Sequence, residues 1–304
     1  MKEKTTVIVL GNCQTACIKR FLRINLKANL EFYEVPAIYT IVNDTERIAR
    51  IANDLNSVDY IITQPLTDKF GPLALDVLRK KYPLKVIVFP VIYWNVYNLE
   101  LFYLKDLNGQ KITNSIVDYH DIVVLYAFVY GYTIDDLDIW FNDKDLFDNT
   151  LIKFIEETSL SELSSREKEC DITASDIILS LKEKSFYTLN HPNNQVLNKV
   201  SEGILKKKYD FPIFENVKEE CLSGTQFPTY KSITNYFHFS NENQNVILNN
   251  TQIKRKGLLE KYFDYYKNID SQILIYNLEF HENSDNVIGH IIKRLKVYLS
   301  KKNS

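Results

Sequence analysis

Strand-like and helix-like patterns take turns through residues 5–90, and this alternation constrains the fold more than any other feature of the chain. Residues 6–10 (Thr-Val-Ile-Val-Leu) form a short β-branched apolar run closed by Gly11, as a buried strand would be. Ala16, Cys17, Phe21, Leu22 and Leu26 then recur at helical spacing, with Lys19, Arg20 and Arg23 on the opposite side. Residues 30–35 read as a second strand. Residues 46–55 read as a helix with Ile48, Ile51, Ala52 and Leu55 in phase. A third strand over 58–64, a helix over 73–80 and a fourth strand over 85–89, cut off by Pro90, complete the series. Strands separated by helices in this rhythm predict an α/β fold, with a parallel sheet and helices on its faces.

Beyond residue 110 the pattern becomes mostly helical. Residues 116–130 and 134–141 read as helices separated by Gly131, and 146–185 is a long helical stretch without Gly or Pro. Residues 194–207 are amphipathic, with Val196, Leu197, Val200, Ile204 and Leu205 on one face. Residues 209–252 look loop-like with short helices, and 258–267 and 287–301 read as closing helices. The expected organisation is an α/β catalytic region over 1–210 and a mainly helical extension over 211–304 packed on the same domain.

At 304 residues and 45% hydrophobic, the chain can bury a substantial core. Its 37 Lys and Arg against 39 Asp and Glu argue against a general nucleic-acid binder, which carries a basic excess. No apolar run approaches the roughly 20 residues that cross a bilayer. The start of the chain has too short an apolar segment for a signal-peptide core, so a cytoplasmic location is expected. Cys13, Cys17, Cys170 and Cys221 lack zinc-site spacing, and reduced thiols without a metal are expected in that compartment. There is no dinucleotide-binding or Walker-type glycine loop.

The chemistry concentrates at Gly11-Asn12-Cys13-Gln14, at the end of the first strand. Ligands of open parallel sheets bind at the carboxyl ends of the strands. Gly11 allows a tight turn, and Cys13 falls at the start of the following helix, where the helix dipole and free N–H groups would lower its thiol pKa. Such a thiol suits attack on a thioester or ester carbonyl. A small residue packed under a turn is the plainer reading. The matching base is His191, in Thr188-Leu189-Asn190-His191-Pro192, where Pro192 restricts it to extended geometry. A helix-entry histidine is the alternative. His120 reads as a cap or surface group, and His238, His281 and His290 read as structural. Asn12, Gln14 and Gln64 are neutral donors suited to an oxyanion hole, or to hydrogen bonding between strand-end loops. Tyr93, Trp94 and Tyr97 could stack on a sugar ring or pack in the core.

Six blocks in order resemble the WcbI-like polysaccharide-biosynthesis family. They are the opening Gly11–Gln14 motif, Val58-Asp59-Tyr60-Ile61-Ile62-Thr63-Gln64-Pro65, residues 85–90, residues 121–137, Arg166-Glu167-Lys168-Glu169-Cys170-Asp171, and Asn190-His191-Pro192. The resemblance implies a CoA-dependent acetyltransferase of capsule or exopolysaccharide assembly that moves an acetyl group from acetyl-CoA to a sugar hydroxyl. It implies acetyl-CoA and a sugar or polysaccharide precursor as substrates, with other assembly enzymes as partners. Cys13 and His191 would be catalytic, Asn12, Gln14, Gln64 and Asn190 would bind substrate or oxyanion, and Gly11 and Arg166 would serve the coenzyme. Lys19, Arg20 and Lys206 to Lys208 are further candidates for its phosphates. The first and last blocks also resemble SGNH/GDSL hydrolases and imply an SGNH- or flavodoxin-like sheet, with Cys13 in place of the serine. Those enzymes carry Asp three residues before the His, where this chain has Thr188, so Asp171 is a candidate to orient His191 instead. An esterase or deacetylase using the same pair, and a non-catalytic CoA- or glycan-binding component, are the alternatives.

Overall fold

The computed structural model describes residues 4–26, 30–112, 118–181, 183–207, 214–239 and 245–302. The chain divides into two units whose sequences interleave. Met1–Tyr93, Leu160–Ser185 and His191–Leu222 form the first, and Trp94–Ser159, Phe186–Asn190 and Ser223–Ser304 form the second. The boundary therefore does not fall as one cut near residue 210. Residues 217–221 stay with the first unit because two side-chain amides hold them there. Asn194 Nδ2 donates to the carbonyls of Val217 (3.0 Å) and Glu219 (2.8 Å), and Asn198 pairs with both backbone groups of Val217.

In the first unit, strands β1 (Thr5–Leu10), β2 (Leu30–Tyr33), β3 (Tyr60–Thr63) and β4 (Val86–Val88) form a parallel sheet in the order β2-β1-β3-β4. Helices α1 (Thr15–Leu26), α2 (Thr45–Asp54) and α3 (Leu75–Lys81) connect them, which is the predicted α/β fold. Ile8, Leu10 and Ile61 cluster with Ile48, Ile51 and Leu55 from α2 and its exit, and with Leu78 of α3. Val7 and Val9, whose side chains alternate to the other side of β1, are equally buried. A central parallel strand covered on both faces requires just such an unbroken apolar run. On α1 the buried stripe is Cys17, Ile18, Phe21 and Leu22, while Ala16, expected in that stripe, faces outward. From β1 the chain moves to one side of the sheet for β2, then returns past β1 for β3 and β4. This reversal falls at the carboxyl ends of β1 and β3, the usual ligand position in open sheets.

The second unit is mainly helical and departs from expectation in four places. The helix foreseen from 116 begins at Ile122 (Ile116 itself lies outside the described residues), because Asp121 caps it by accepting from the N–H groups of Val123 and Val124. Just before it, His120–Asp121 pairs antiparallel with Leu101–Phe102. The stretch 146–185, which continues into the first unit, is not one helix but Asn149–Glu167 and Ser175–Ser180. Glu167 ends the former and caps the latter, its buried carboxylate accepting from Ala174 N (2.5 Å), Ser175 N (2.9 Å) and Ser175 Oγ (2.5 Å). Part of the supposed loop 209–252 is a hairpin, Asn245–Leu248 with Thr251–Lys254. Asn249 (φ 49°) and Asn250 (φ 65°) sit at its tip, both in the left-handed region that two-residue turns between right-twisted strands demand. Helix Ser271–Glu282 was not anticipated. Among the described residues no helix is long and apolar enough to cross a membrane.

Because Ile61 is fully buried at the centre of the first-unit core, Ile61→Ala is expected to lower unfolding free energy by about 2–5 kcal/mol. Equilibrium urea denaturation followed by circular dichroism reads this directly.

Candidate active site

The chain leaves β1 at Gly11, and the glycine is required by a neighbour. A Cβ at this position would meet Gln64 Oε1 at 2.6 Å and Thr15 Cγ2 at 2.9 Å. Gln64 is the first residue after β3, and its side chain lies against the turn. Its Oε1 accepts from Asn12 N (2.8 Å), and its Nε2 donates to Gln14 Oε1 (3.0 Å) and to the Pro90 carbonyl (3.3 Å). Gln14 in turn donates from Nε2 to the Ile92 carbonyl (2.7 Å) and accepts from Ile92 N (3.3 Å). Both glutamines are fully buried. Two amides thus tie together the loops that follow β1, β3 and β4. Both side chains therefore make hydrogen bonds between strand-end loops, the alternative raised for Gln14 and Gln64 beside an oxyanion hole.

This lacing shapes the turn that carries the thiol. Asn12 Oδ1 accepts from Gln14 N (3.0 Å), and the Asn12 carbonyl accepts from Thr15 N (3.1 Å) and Thr15 Oγ1 (2.8 Å). The Asn12 side chain therefore acts as a local cap, and α1 starts at Thr15, two residues after Cys13. Two donors at the turn, Asn12 Nδ2 and the Cys13 N–H, reach no protein oxygen among the described residues. The Cys13 thiol is partly buried, and burial pushes its pKa up. The N–H groups of Cys13 and Gln14 pull in the opposite direction but are outweighed. The expected lowering is thus reversed, and the group is a neutral thiol at neutral pH.

His191 belongs to the same unit. Asn193, two residues on, caps the helix Asn194–Lys206 by accepting from Val196 N (3.3 Å), and donates its own N–H to the Ser185 carbonyl (2.8 Å). That helix packs on α1, so Cys13 and His191 each precede one of two helices in mutual contact. Burial pushes the His191 imidazole pKa down, leaving a neutral ring at neutral pH.

Other expected site residues lie elsewhere or have other partners. Asn190 belongs to the second unit, where its Oδ1 accepts from Tyr119 Oη (2.6 Å) and Thr188 Oγ1 (3.4 Å). Asp171 does not serve His191: its carboxylate accepts from Val88 N (2.7 Å) while its own N–H donates to the Val88 carbonyl (2.8 Å), closing the edge of β4. Arg166 donates from Nη1 to the Val91 carbonyl (3.4 Å) and from Nη2 to Glu162 (3.1 Å), with its guanidinium 5.6 Å over the Tyr93 ring. It therefore meets the same loop that Gln14 and Gln64 hold. Lys19, Arg20 and Lys206 pair with Glu34, Glu219 and Glu202, and Lys208 lies outside the described residues. Trp94 and Tyr97 are buried in the second unit, Tyr97 packed edge-on against Phe237 and Phe239, so core packing is their role. His120, expected as a cap or surface group, is fully buried within 3.0 Å of Tyr266 Oη, and burial pushes its pKa down to about 4. The participation of the Pro90–Ile92 loop was not foreseen; Pro90, which stops the fourth strand, was its only signal.

Removing the Gln64 amide strands the part-buried Asn12 N–H and takes from Gln14 Oε1 one of its two donors. Gln64→Leu is expected to cost roughly 2–4 kcal/mol of stability, measurable as a lowered urea midpoint.

Comparison with known proteins places this arrangement. The family model for the polysaccharide biosynthesis enzyme WcbI matches residues 6–208. No curated protein is a significant match to the sequence. A solved structure of WcbI, described as a novel polysaccharide biosynthesis enzyme, superposes with a TM-score of 0.79 at 17% identity, covering 96% of this chain and 99% of its own. That structure is described as the native protein without a disulfide bond between CoA and one of its cysteines. With the family match spanning the sheet, the thiol turn and the His191 segment, the chain belongs to the WcbI family of polysaccharide biosynthesis enzymes.

Proposed function

We propose that the chain is a CoA-dependent O-acetyltransferase acting on a sugar hydroxyl in capsular or exopolysaccharide biosynthesis. The observation that carries this reading is a neutral thiol at the switch point of the sheet, beside an Asn12 side chain whose Nδ2 reaches no protein oxygen among the described residues. Donors held ready by a rigid turn suit the oxygen of an acyl group under attack. The mention of CoA together with a cysteine in the structural relative supports assigning the thiol end of the coenzyme to the Cys13 turn. Arg166, a third exposed and resting on the Val91–Tyr93 loop, is our candidate for a coenzyme phosphate. Gly11, Gln14 and Gln64 act as positioning residues that hold the turn.

When bound, acetyl-CoA supplies the acetyl group as a thioester. His191, kept neutral by burial, accepts the proton of the attacking sugar hydroxyl and returns it to the departing sulfur. Asn12 Nδ2 and the Cys13 N–H take the negative charge that builds on the carbonyl oxygen. Burial raises the thiol and lowers the imidazole, and both shifts oppose a thiolate–imidazolium pair. We therefore favour direct transfer over an acetylated Cys13, with the thiol lining the acyl pocket.

Three outcomes test this. Incubation with acetyl-CoA and a sugar acceptor is expected to give acetylated sugar with little free acetate; free acetate alone would favour the hydrolase reading. His191→Ala is expected to reduce kcat/KM by about a hundredfold to ten-thousandfold, with a smaller loss for Cys13→Ala and no acetylated Cys13 by intact mass. Full activity in both variants would reject catalysis at this site. A base must be unprotonated to act, so activity is present above the His191 pKa and is lost as pH falls through it. Since burial lowers that pKa, the acid limb of kcat/KM is expected below the ordinary histidine value of about 6.5.

A further inference from the structure

The chain leaves β2 through a turn whose backbone is fastened to the thiol turn. Ile38 N donates to the Gly11 carbonyl (2.8 Å). Thr40 closes the turn on itself, its N–H (2.9 Å) and its Oγ1 (2.8 Å) both donating to the Ala37 carbonyl. Ile38 and Ile41 are buried in the first-unit core, in one cluster with Leu66 and Leu73 from the loop after β3. Anchored on both sides, the turn holds out Tyr39, which is 60% exposed. A lone exposed aromatic is ordinary on a protein surface. The place of this one is not. It is the only exposed aromatic side chain among the described residues of the first unit, and it lies one residue from the hydrogen bond to the glycine that opens the Cys13 turn.

We propose that Tyr39 forms the acceptor subsite, stacking its ring on the C–H face of the sugar whose hydroxyl is acetylated, an inference that rests on the acyl-transfer reading above. The strand order β2-β1-β3-β4 carries the assignment. Arg166, our candidate for a coenzyme phosphate, meets the loop after β4, so the coenzyme arm runs over the β3 and β4 side of the Cys13 turn. The attacking hydroxyl must reach the acyl carbon from a direction that this arm leaves open, and β2 ends on the other side of β1. A pyranose ring presents a face of C–H groups and a rim of hydroxyls. An aromatic ring on a fixed backbone covers that face at little entropic cost, since a Tyr side chain has few torsions to freeze. The other aromatics weighed for stacking are engaged elsewhere. Trp94 and Tyr97 are buried, and the Arg166 guanidinium lies over the Tyr93 ring. Because the contact is made by the ring face, the phenol hydroxyl is dispensable to it.

The test starts from binding, so that it does not depend on turnover. The probes are the methyl glycosides of glucose, galactose and mannose, observed by saturation-transfer NMR with the full wild-type chain. At least one is expected to bind through its ring C–H protons, to lose that signal in Tyr39→Ala and to keep it in Tyr39→Phe. CoA affinity by calorimetry and the urea midpoint are expected to stay unchanged in both variants. With acetyl-CoA present, Tyr39→Ala is expected to raise KM for the bound glycoside by about threefold to tenfold and to leave KM for acetyl-CoA as it was. Equal glycoside binding in Tyr39→Ala, binding of none of the three probes by the wild type, or weakened CoA affinity with sugar binding intact would overturn the proposal. Tyr39-dependent binding of a glycoside that the wild type never acetylates would keep Tyr39 as a sugar contact and sink the acyl-transfer reading instead.

Discussion

The Gln64 side chain is the interaction on which the site depends. It is fully buried at the end of β3, so each of its polar atoms needs a protein partner, and the partners it finds belong to two other strand ends, those of β1 and β4. Satisfying one amide therefore fixes the loops after β1, β3 and β4 relative to one another. Gly11 is the steric condition for this arrangement, since any side chain there would occupy the space that Gln64 fills. The position of Cys13 follows from both. Its turn is set less by the preferences of the residues within it than by a distant amide that uses up the Asn12 N–H and the Gln14 side chain.

The electrostatics follow from the same burial. A helix start favours a thiolate, and the sequence invites that inference for Cys13. Helix α1, however, begins beyond the cysteine, and withdrawal from water outweighs the nearby N–H groups. The imidazole of His191 is shifted by the same cause in the opposite direction, because desolvation penalises whichever form is charged. Thiol and imidazole are thus both held neutral at neutral pH.

The sheet could be read from the sequence because its strands are continuous apolar runs and its helices amphipathic, and both signals are local. All four strands and three helices of the first ninety residues lie within a few positions of where periodicity puts them. The thiol turn was equally legible, since a glycine after a buried strand is a local feature. What could not be read depends on distant partners. The direction of the Cys13 pKa shift requires knowing how much protein covers it. Asp171 looked available to orient His191 until its partner, Val88, was known. The Asn245–Leu248 hairpin was hidden because its signal is only Asn249-Asn250, a weaker turn pair than Asn-Gly. The break after Glu167 was hidden because a carboxylate, not a proline or glycine, ends the helix.

The interleaved order of the two units bears on how the chain folds as it is synthesised. The sheet-bearing unit draws on residues up to Leu222, so it cannot close until the segment ending at Leu222 has emerged. Meanwhile the helix Ile122–Val129, apolar on almost every side, waits for helices Ser271–Glu282 and Val287–Lys302 to cover it. A nascent chain therefore carries a greasy segment through much of its translation before its partners are made. Such long-range closure is slow and prone to aggregation, which makes late-stage ribosome-bound intermediates of this protein natural clients for chaperones.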